Sequence, residues 1–394
     1  MSLKSLPTFH DSRYLYTGLL AFANGPETLP IDDLERRIRM AIQAHVAEQQ
    51  RKYMLAEHTA VYQKIPSYII GELSSYGLFE KIKANGNAFC LTNEGKRLLD
   101  FLLKRQGIQV RIQLAAHYLS TFTKAVYFMR RLWELRDQPG LQVPEVNYAA
   151  LDPLKRQGAE QLSLVLRHVA DDIAEVFSKV GPILFSPDQF VIACLQDLKN
   201  HNWKEEPKQK SFQAMRRAVD NYMLNVVFPR QEISRPKYDV LRNRGDSFGL
   251  VNQRRIAGKR LTWEHTYLTA WLIPPMGVPE GIASDDLLKA PVGEAILHVH
   301  EPRWDSVRER FLYTLRDAYG RLKMHVGYAR VTDMRGDVCF KLRLASRTFD
   351  DFVKRLSEEN QSVLVFSTSP ERYTIKSLPL CLTEGRTYNL IRVL

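Results

Sequence analysis

Apolar residues return every three or four positions through the first third of the chain. Ile31, Leu34, Ile38, Ile42 and Val46 fall on one side of a helix, and Leu114, Tyr118, Phe122, Val126 and Met129 repeat the rhythm. The same period predicts two or three helices between Leu151 and Phe228, one of them carrying Leu162, Val165, Val169, Ile173 and Val176. No clean period holds from Pro229 to Trp271, so that stretch is expected to be loop with short strands. The last hundred residues change character. "EAILHVH" reads as a strand, Trp304, Val307, Phe311 and Leu315 mark a helix, and "MHVGYARVT" and "VCFKLRL" read as strands around an "MRGD" turn. Phe349, Phe352, Val353 and Leu356 mark a second helix before the strand "SVLVFS". The order β-α-β-β-α-β is that of a ferredoxin-like domain.

Between residues 31 and 105 the local signals are dense. A long helix from Ile31 to about Leu55 and a short one near Glu57 to Gln63 precede a third, which starts at Pro66 and turns Ile69, Ile70 and Leu73 inward. Gly77 suits the left-handed stop of that helix. "LFEKI" and "AFCL" then flank Asn85-Gly86, a strong hairpin signal. Thr92 is placed to cap the next helix, whose apolar face holds Leu98, Leu99 and Leu102. The phrase "YGLFEKIKANGNAFCLTNEGKRLLDFLL" resembles the wing region of the winged-helix superfamily, with its apolar-Gly-Leu lead into a hairpin and its "LT-x-x-G" helix start.

The resemblance covers residues 31–105 and implies a module whose third helix and wing meet DNA. The residues it points to are Lys64, Ser67, Tyr68, Glu72 and Ser75 on the helix, and Lys81, Lys83, Asn85 and Asn87 on the wing. Between Pro66 and Gly77 there is no Arg or Lys, which disfavours readout of guanine. Winged helices also dock on proteins.

Breaks rich in Pro, Gly or polar residues fall at Arg136 to Pro153, Asn200 to Ser211 and Ile273 to Glu294. The expected fold class is therefore α+β. It comprises an N-terminal winged helix (residues 1–107), a helical middle (108–228), a basic loop or linker region (229–293) and a C-terminal ferredoxin-like domain (294–394). A length of 394 residues is more than one core usually serves.

Charge adds a partner. The chain holds 56 Lys+Arg against 44 Asp+Glu, a net +12 that favours a polyanion. One basic run extends from Lys96 to Arg136. A second, from Arg230 to Arg260, carries nine basic residues against Glu232, Asp239 and Asp246. Arg242, Arg244, Arg254, Arg255, Lys259 and Arg260 in that run are expected to meet phosphate from an open loop. "MRGDVCFKL" has the Arg335-Gly336 of an RNA-stacking strand, but Asp337 stands where the aromatic belongs, so base stacking is not expected there.

Catalytic signals are weak. Phosphate-loop, dinucleotide, GxSxG and HExxH motifs do not occur. His298 and His300 share a strand face, and the doublets Asp171-Asp172, Asp285-Asp286 and Asp350-Asp351 lack the convergence that two-metal chemistry needs. Cys90, Cys194, Cys339 and Cys381 are scattered, which argues against a zinc cluster or a disulfide framework. Neither a signal peptide nor an apolar span is read, so a cytoplasmic protein without a membrane partner, metal or cofactor is expected. The expected function is that of a non-enzymatic DNA-binding subunit in a multi-protein complex handling DNA, as in genome maintenance or antiviral defence against foreign DNA. A protein-interaction scaffold (kleisin-like or adaptor) is the alternative, and a metal-dependent nuclease is the third reading.

Overall fold

A computed structural model describes residues 13–48, 59–82, 87–136, 141–178, 183–258, 260–273, 282, 284–359, 363–368, 380–381 and 387–394. The fold mixes helices with small sheets, as the α+β class requires. Two compact units divide it. The first contains 1–126, 240–251 and 269–394, and the second 127–239 and 252–268. This interleaving differs from the four consecutive domains read along the sequence. Linker signals are local, whereas compactness depends on pairing between distant segments.

The first unit begins with the helix Arg13–Leu20, the strand Thr28–Pro30 and the helix Ile31–Glu48. The helix Thr59–Ser75 and the strands Phe79–Ile82 and Ala88–Leu91 follow, and then the helix Asn93–Leu103. Ala88–Leu91 lies in the middle of the sheet, with Thr28 opposite Cys90 on one side and Lys81 opposite Phe89 on the other. Leu34, Ile38, Ile42, Ile69, Ile70 and Leu73 are buried against Leu15 and Leu19 of the same core. The separate helices expected on either side of Pro66 are one continuous helix with the proline inside it. A single proline removes one intrahelical hydrogen bond and crowds the preceding turn, a cost that the burial of Ile69, Ile70 and Leu73 offsets. The end near Leu55 and the short helix near Glu57 fall wholly or partly outside the described residues.

Gly77 stops the helix in the left-handed conformation, at φ 71°. The Leu78 amide donates to the Leu73 carbonyl (2.9 Å) and the Gly77 amide to that of Ser74 (3.0 Å), the paired bonds of a Schellman stop. Thr92 caps the next helix by accepting from the Gly95 amide (3.2 Å), while its own hydroxyl donates to the Gly77 carbonyl (2.8 Å). The glycine of "LT-x-x-G" is required by space, because a Cβ there would stand 2.4 Å from the Leu78 carbonyl oxygen. Gly95→Ala is therefore expected to lower stability by about 1–3 kcal/mol, although alanine is the better helix former. An unchanged or raised melting temperature would refute that close approach.

Further along the first unit, the helix Gly107–Thr121 is buried along most of its length. Ala270–Ile273, Ala295–His300 and Leu287–Val292 form a second sheet, with Ala295–His300 central. The helix Trp304–Leu322 leads to a short strand Ala329–Arg330 and then to the helices Val331–Leu342 and Ser346–Glu359. The strands Leu364–Ser367 and Leu390–Val393 follow, and the latter lies between Ala329–Arg330 and Leu364–Ser367.

The ferredoxin-like order is thus corrected: most of "VCFKLRL" and all of "MRGD" belong to one helix. Val331, Met334, Arg335, Val338, Cys339 and Leu342 are all buried, at three- and four-residue steps. Seven residues alone had satisfied a two-residue period by coincidence, and the wider window shows the helical one. Apart from the two-residue strands Leu380–Cys381 and Thr387–Tyr388, which pair with each other, the resulting order is helix, strand, two helices and two strands with the last strand central. It repeats the order of the amino-terminal elements, which no sequence repeat announced.

In the second unit the strand Leu141–Val146 is buried at every position and pairs antiparallel with Leu261–Leu268, Leu141 opposite Thr266. This strand lies inside a stretch read as a break, and its Pro144 carries no amide for the ladder. Val251–Ala257, whose first residue belongs to the first unit, completes that sheet. The helices Leu162–Phe177, Pro187–Leu198 and Lys208–Val227 supply most of the remaining core. The basic region read as loop or linker with short strands does hold strands, but it also contains the helix Arg235–Ser247. Its arginines had hidden the helical period, because they are buried in carboxylate pairs where apolar residues would ordinarily be.

Candidate nucleic-acid interface

The helix Thr59–Ser75 has an inner side of Pro66, Ile69, Ile70 and Leu73, which leaves Lys64, Ser67 and Tyr68 together on the outer side. Tyr68 is 38% exposed, a large ring on the outer side of the helix. The Ser67 hydroxyl donates to the Lys64 carbonyl (2.8 Å). Lys81 is exposed on the first hairpin strand, and Asn87, exposed at the start of the second, accepts from the Ile31 amide through its carbonyl (2.9 Å). Neither Lys64 nor Lys81 has a carboxylate partner among the described residues. Lys83 and Asn85 lie outside the described residues. Ser75 is half-buried and spends its hydroxyl on the Glu72 carbonyl (2.7 Å).

Glu72 faces inward and is corrected as a contact residue. It is 0% exposed, and Arg244, 2% exposed, donates to it at 2.9 Å. The Tyr76 hydroxyl donates to the other carboxylate oxygen (2.6 Å). Burial pushes the Glu72 carboxyl up, against the opposing pull of the Arg244 guanidinium and the Tyr76 hydrogen bond. Burial likewise pushes the Tyr76 phenol well up. This pair fixes the inner flank of the helix whose outer side carries Lys64, Ser67 and Tyr68. Nothing in the local sequence connects Glu72 with a residue 172 positions away.

The central arginines do not form an open loop. Arg242 and Arg244 are both buried in the first unit, and burial pushes the neighbouring Asp246 carboxyl up to about 6 against the pull of Arg242 and Arg335. In the second unit Arg255 pairs with Glu145 and, at 3.7 Å, with Glu264. Arg260 grips Asp172 with two bonds of 2.7 and 2.6 Å. Arg254 is half-buried, and Lys259 lies outside the described residues. Arg242 and Arg244 are therefore corrected as phosphate contacts because they are buried, and Arg255 and Arg260 because their guanidinium groups, though partly exposed, are engaged by carboxylates. Formal charge counts side chains but does not reveal which of them meet carboxylates.

Arg235 is the hub of the second unit's polar interior. It reaches Glu264 at 2.7 Å, Asp239 at 3.2 Å and Asp220 at 3.6 Å. Arg216 joins Asp220 (3.6 Å) to Glu145 (3.1 Å). Burial pushes the Asp220 carboxyl up to about 6, which Arg235 and Arg216 oppose.

The remaining titratable candidates are also structural. His298 and His300 are buried in their sheet, and burial pushes both imidazoles down, towards the neutral form. Among the described residues no group of three or more His, Cys, Asp or Glu is placed to hold a metal ion. No described helix is long and apolar enough to cross a membrane. No family model matches this chain, and neither does any curated protein or solved structure.

Proposed function

We propose that the protein is a non-enzymatic DNA-binding subunit of a larger assembly that handles DNA, in genome maintenance or in defence against foreign DNA, working in the cytoplasm. Its amino-terminal module is read as a winged helix that lays the outer side of Thr59–Ser75 and the hairpin on a duplex. One observation carries this reading: Lys64, Ser67 and Tyr68 share an exposed helix face, and Lys64 and the hairpin's Lys81 lack carboxylate partners among the described residues. Two lysines and a phenol suit phosphate oxygens and give little base readout, so binding indifferent to sequence is expected.

The scaffold reading keeps one supporting observation, the exposed Tyr68 ring on a helix without arginine, because such a ring also anchors protein interfaces.

Anisotropy of a labelled random-sequence duplex, measured over a salt series, separates the two. DNA binding predicts micromolar or tighter affinity at low salt, falling steeply as salt rises. Lys64→Gln with Lys81→Gln should weaken it about tenfold and reduce the slope of log affinity against log salt by about 2. Absence of binding at low salt would reject the DNA reading and favour the scaffold.

A further inference from the structure

Several basic residues without a carboxylate partner among the described residues make a row on the helix Trp304–Leu322. Its inner side is Trp304, Phe311, Thr314, Leu315 and Ala318, all buried. Arg310, Tyr313, Arg316, Gly320 and the capping Lys323 run along the outer side at three- and four-residue steps, all exposed. Tyr313 is 75% exposed, in the middle of the row. The acids nearby are engaged: Glu309 and Glu359 with Arg308 at 3.0 Å each, and Asp317 with Arg321 at 3.1 Å and with Lys341. Asp305, in the first turn, is the one carboxylate of the helix without a basic partner among the described residues. Arg310, Arg316 and Lys323 are exposed and have no carboxylate partner among the described residues, although Arg310, at the flank of the row, also acts on the buried His300.

Gly320 is an independent sign. It stands in the last turns of a 19-residue helix, where glycine is a poor choice, and a Cβ added there would meet nothing within 4 Å. The fold therefore does not require glycine at this position. A bare ridge between Arg316 and Lys323 does let an outside chain approach the helix closely.

We propose that this outer side is a second docking surface for the phosphate backbone of duplex DNA, apart from the amino-terminal face. Arg310, Arg316 and Lys323 would neutralise successive phosphates, Tyr313 would donate its hydroxyl to one, and Gly320 would let the backbone come close. An anionic membrane suits it less. The apolar side of the helix is committed to the core, so no greasy stripe is free to enter lipid.

The test uses the full-length protein, a labelled 20-base-pair duplex and vesicles containing anionic lipid. Arg310→Gln, Arg316→Gln and Lys323→Gln together should weaken duplex binding at least tenfold and lower the log–log salt slope by about 2 to 3. Gly320→Leu, which favours the helix, should keep the melting temperature and still weaken binding several-fold. Removing three charges elsewhere, at Arg156, Lys199 and Arg217, should change affinity less than twofold. The proposal is overturned if the triple variant binds like the parent, if the distant control loses as much, if the parent binds no duplex, or if the surface serves vesicles instead. Loss with the Lys64 and Lys81 variant but not with this one leaves the amino-terminal reading standing alone; the reverse leaves this surface alone.

Discussion

Arg244→Ala is expected to cost about 3–5 kcal/mol of stability, among the largest effects of any single substitution in the first unit. The substitution strands Glu72, a fully buried carboxylate whose remaining polar partner is the Tyr76 hydroxyl. Coulomb attraction in this dry setting offsets part of the desolvation of both charges, and removing one partner takes that offset from the other. Glu72 would respond by taking up a proton, since burial already pushes its carboxyl up. The loss should therefore be smaller at pH 5 than at pH 8. Replacing both partners, Arg244→Met with Glu72→Leu, should recover much of the stability, because two apolar side chains of similar size leave no orphaned charge. Denaturant unfolding of the parent, the Arg244→Ala variant and the double variant is the measurement. A single mutant within 1 kcal/mol of the parent would mean that the pair is not buried as described. Because the pair holds the inner flank of Thr59–Ser75, the single variant should also bind duplex more weakly than its surface charge explains.

In the second unit the corresponding expectation is Arg235→Ala, again about 3–5 kcal/mol. Three carboxylates converge on this guanidinium, and Glu264 is nearly inaccessible to water. Arg216 and Arg255 reach the same group of acids but cannot replace the central fork. The group also sets a pH dependence. Asp220, pushed up to about 6, holds its proton more tightly in the folded chain than in the unfolded one, where it titrates near 3.8. Folding then binds extra protons between these values, so the contribution of Asp220 to stability is greatest below about pH 4 and declines as pH rises through 6. Over that window the decline amounts to roughly 3 kcal/mol. Asp220→Asn should remove it, so that the parent loses ground to the variant as pH is raised from 4 to 7. A difference between the two proteins that stays flat over that range would show that Asp220 is not held protonated by its surroundings.

Local physics made part of the structure readable from residues alone. The turn at Gly77, the cap at Thr92 and the hairpin strands Phe79–Ile82 and Ala88–Leu91 depend on neighbours a few positions apart, and all four form where the sequence indicated. The helix Leu162–Phe177 followed from its apolar period for the same reason. The outward placement of Lys64, Ser67 and Tyr68 was legible too, because helical spacing separates them from Ile69, Ile70 and Leu73. "VCFKLRL" was not, since a run of seven residues cannot distinguish a period of two from one of 3.6.

Composition and spacing by themselves determined an α+β chain with a net positive charge and a hairpin-bearing module near its start. Only the tertiary structure decided where that charge acts. It joined Arg244 to Glu72, Arg235 to Glu264 and Arg260 to Asp172, and left Arg310, Arg316 and Lys323 facing solvent. Secondary structure follows from interactions within a turn or two of the chain. Charge neutralisation depends on which distant residues the fold brings within 4 Å, and no local pattern records that.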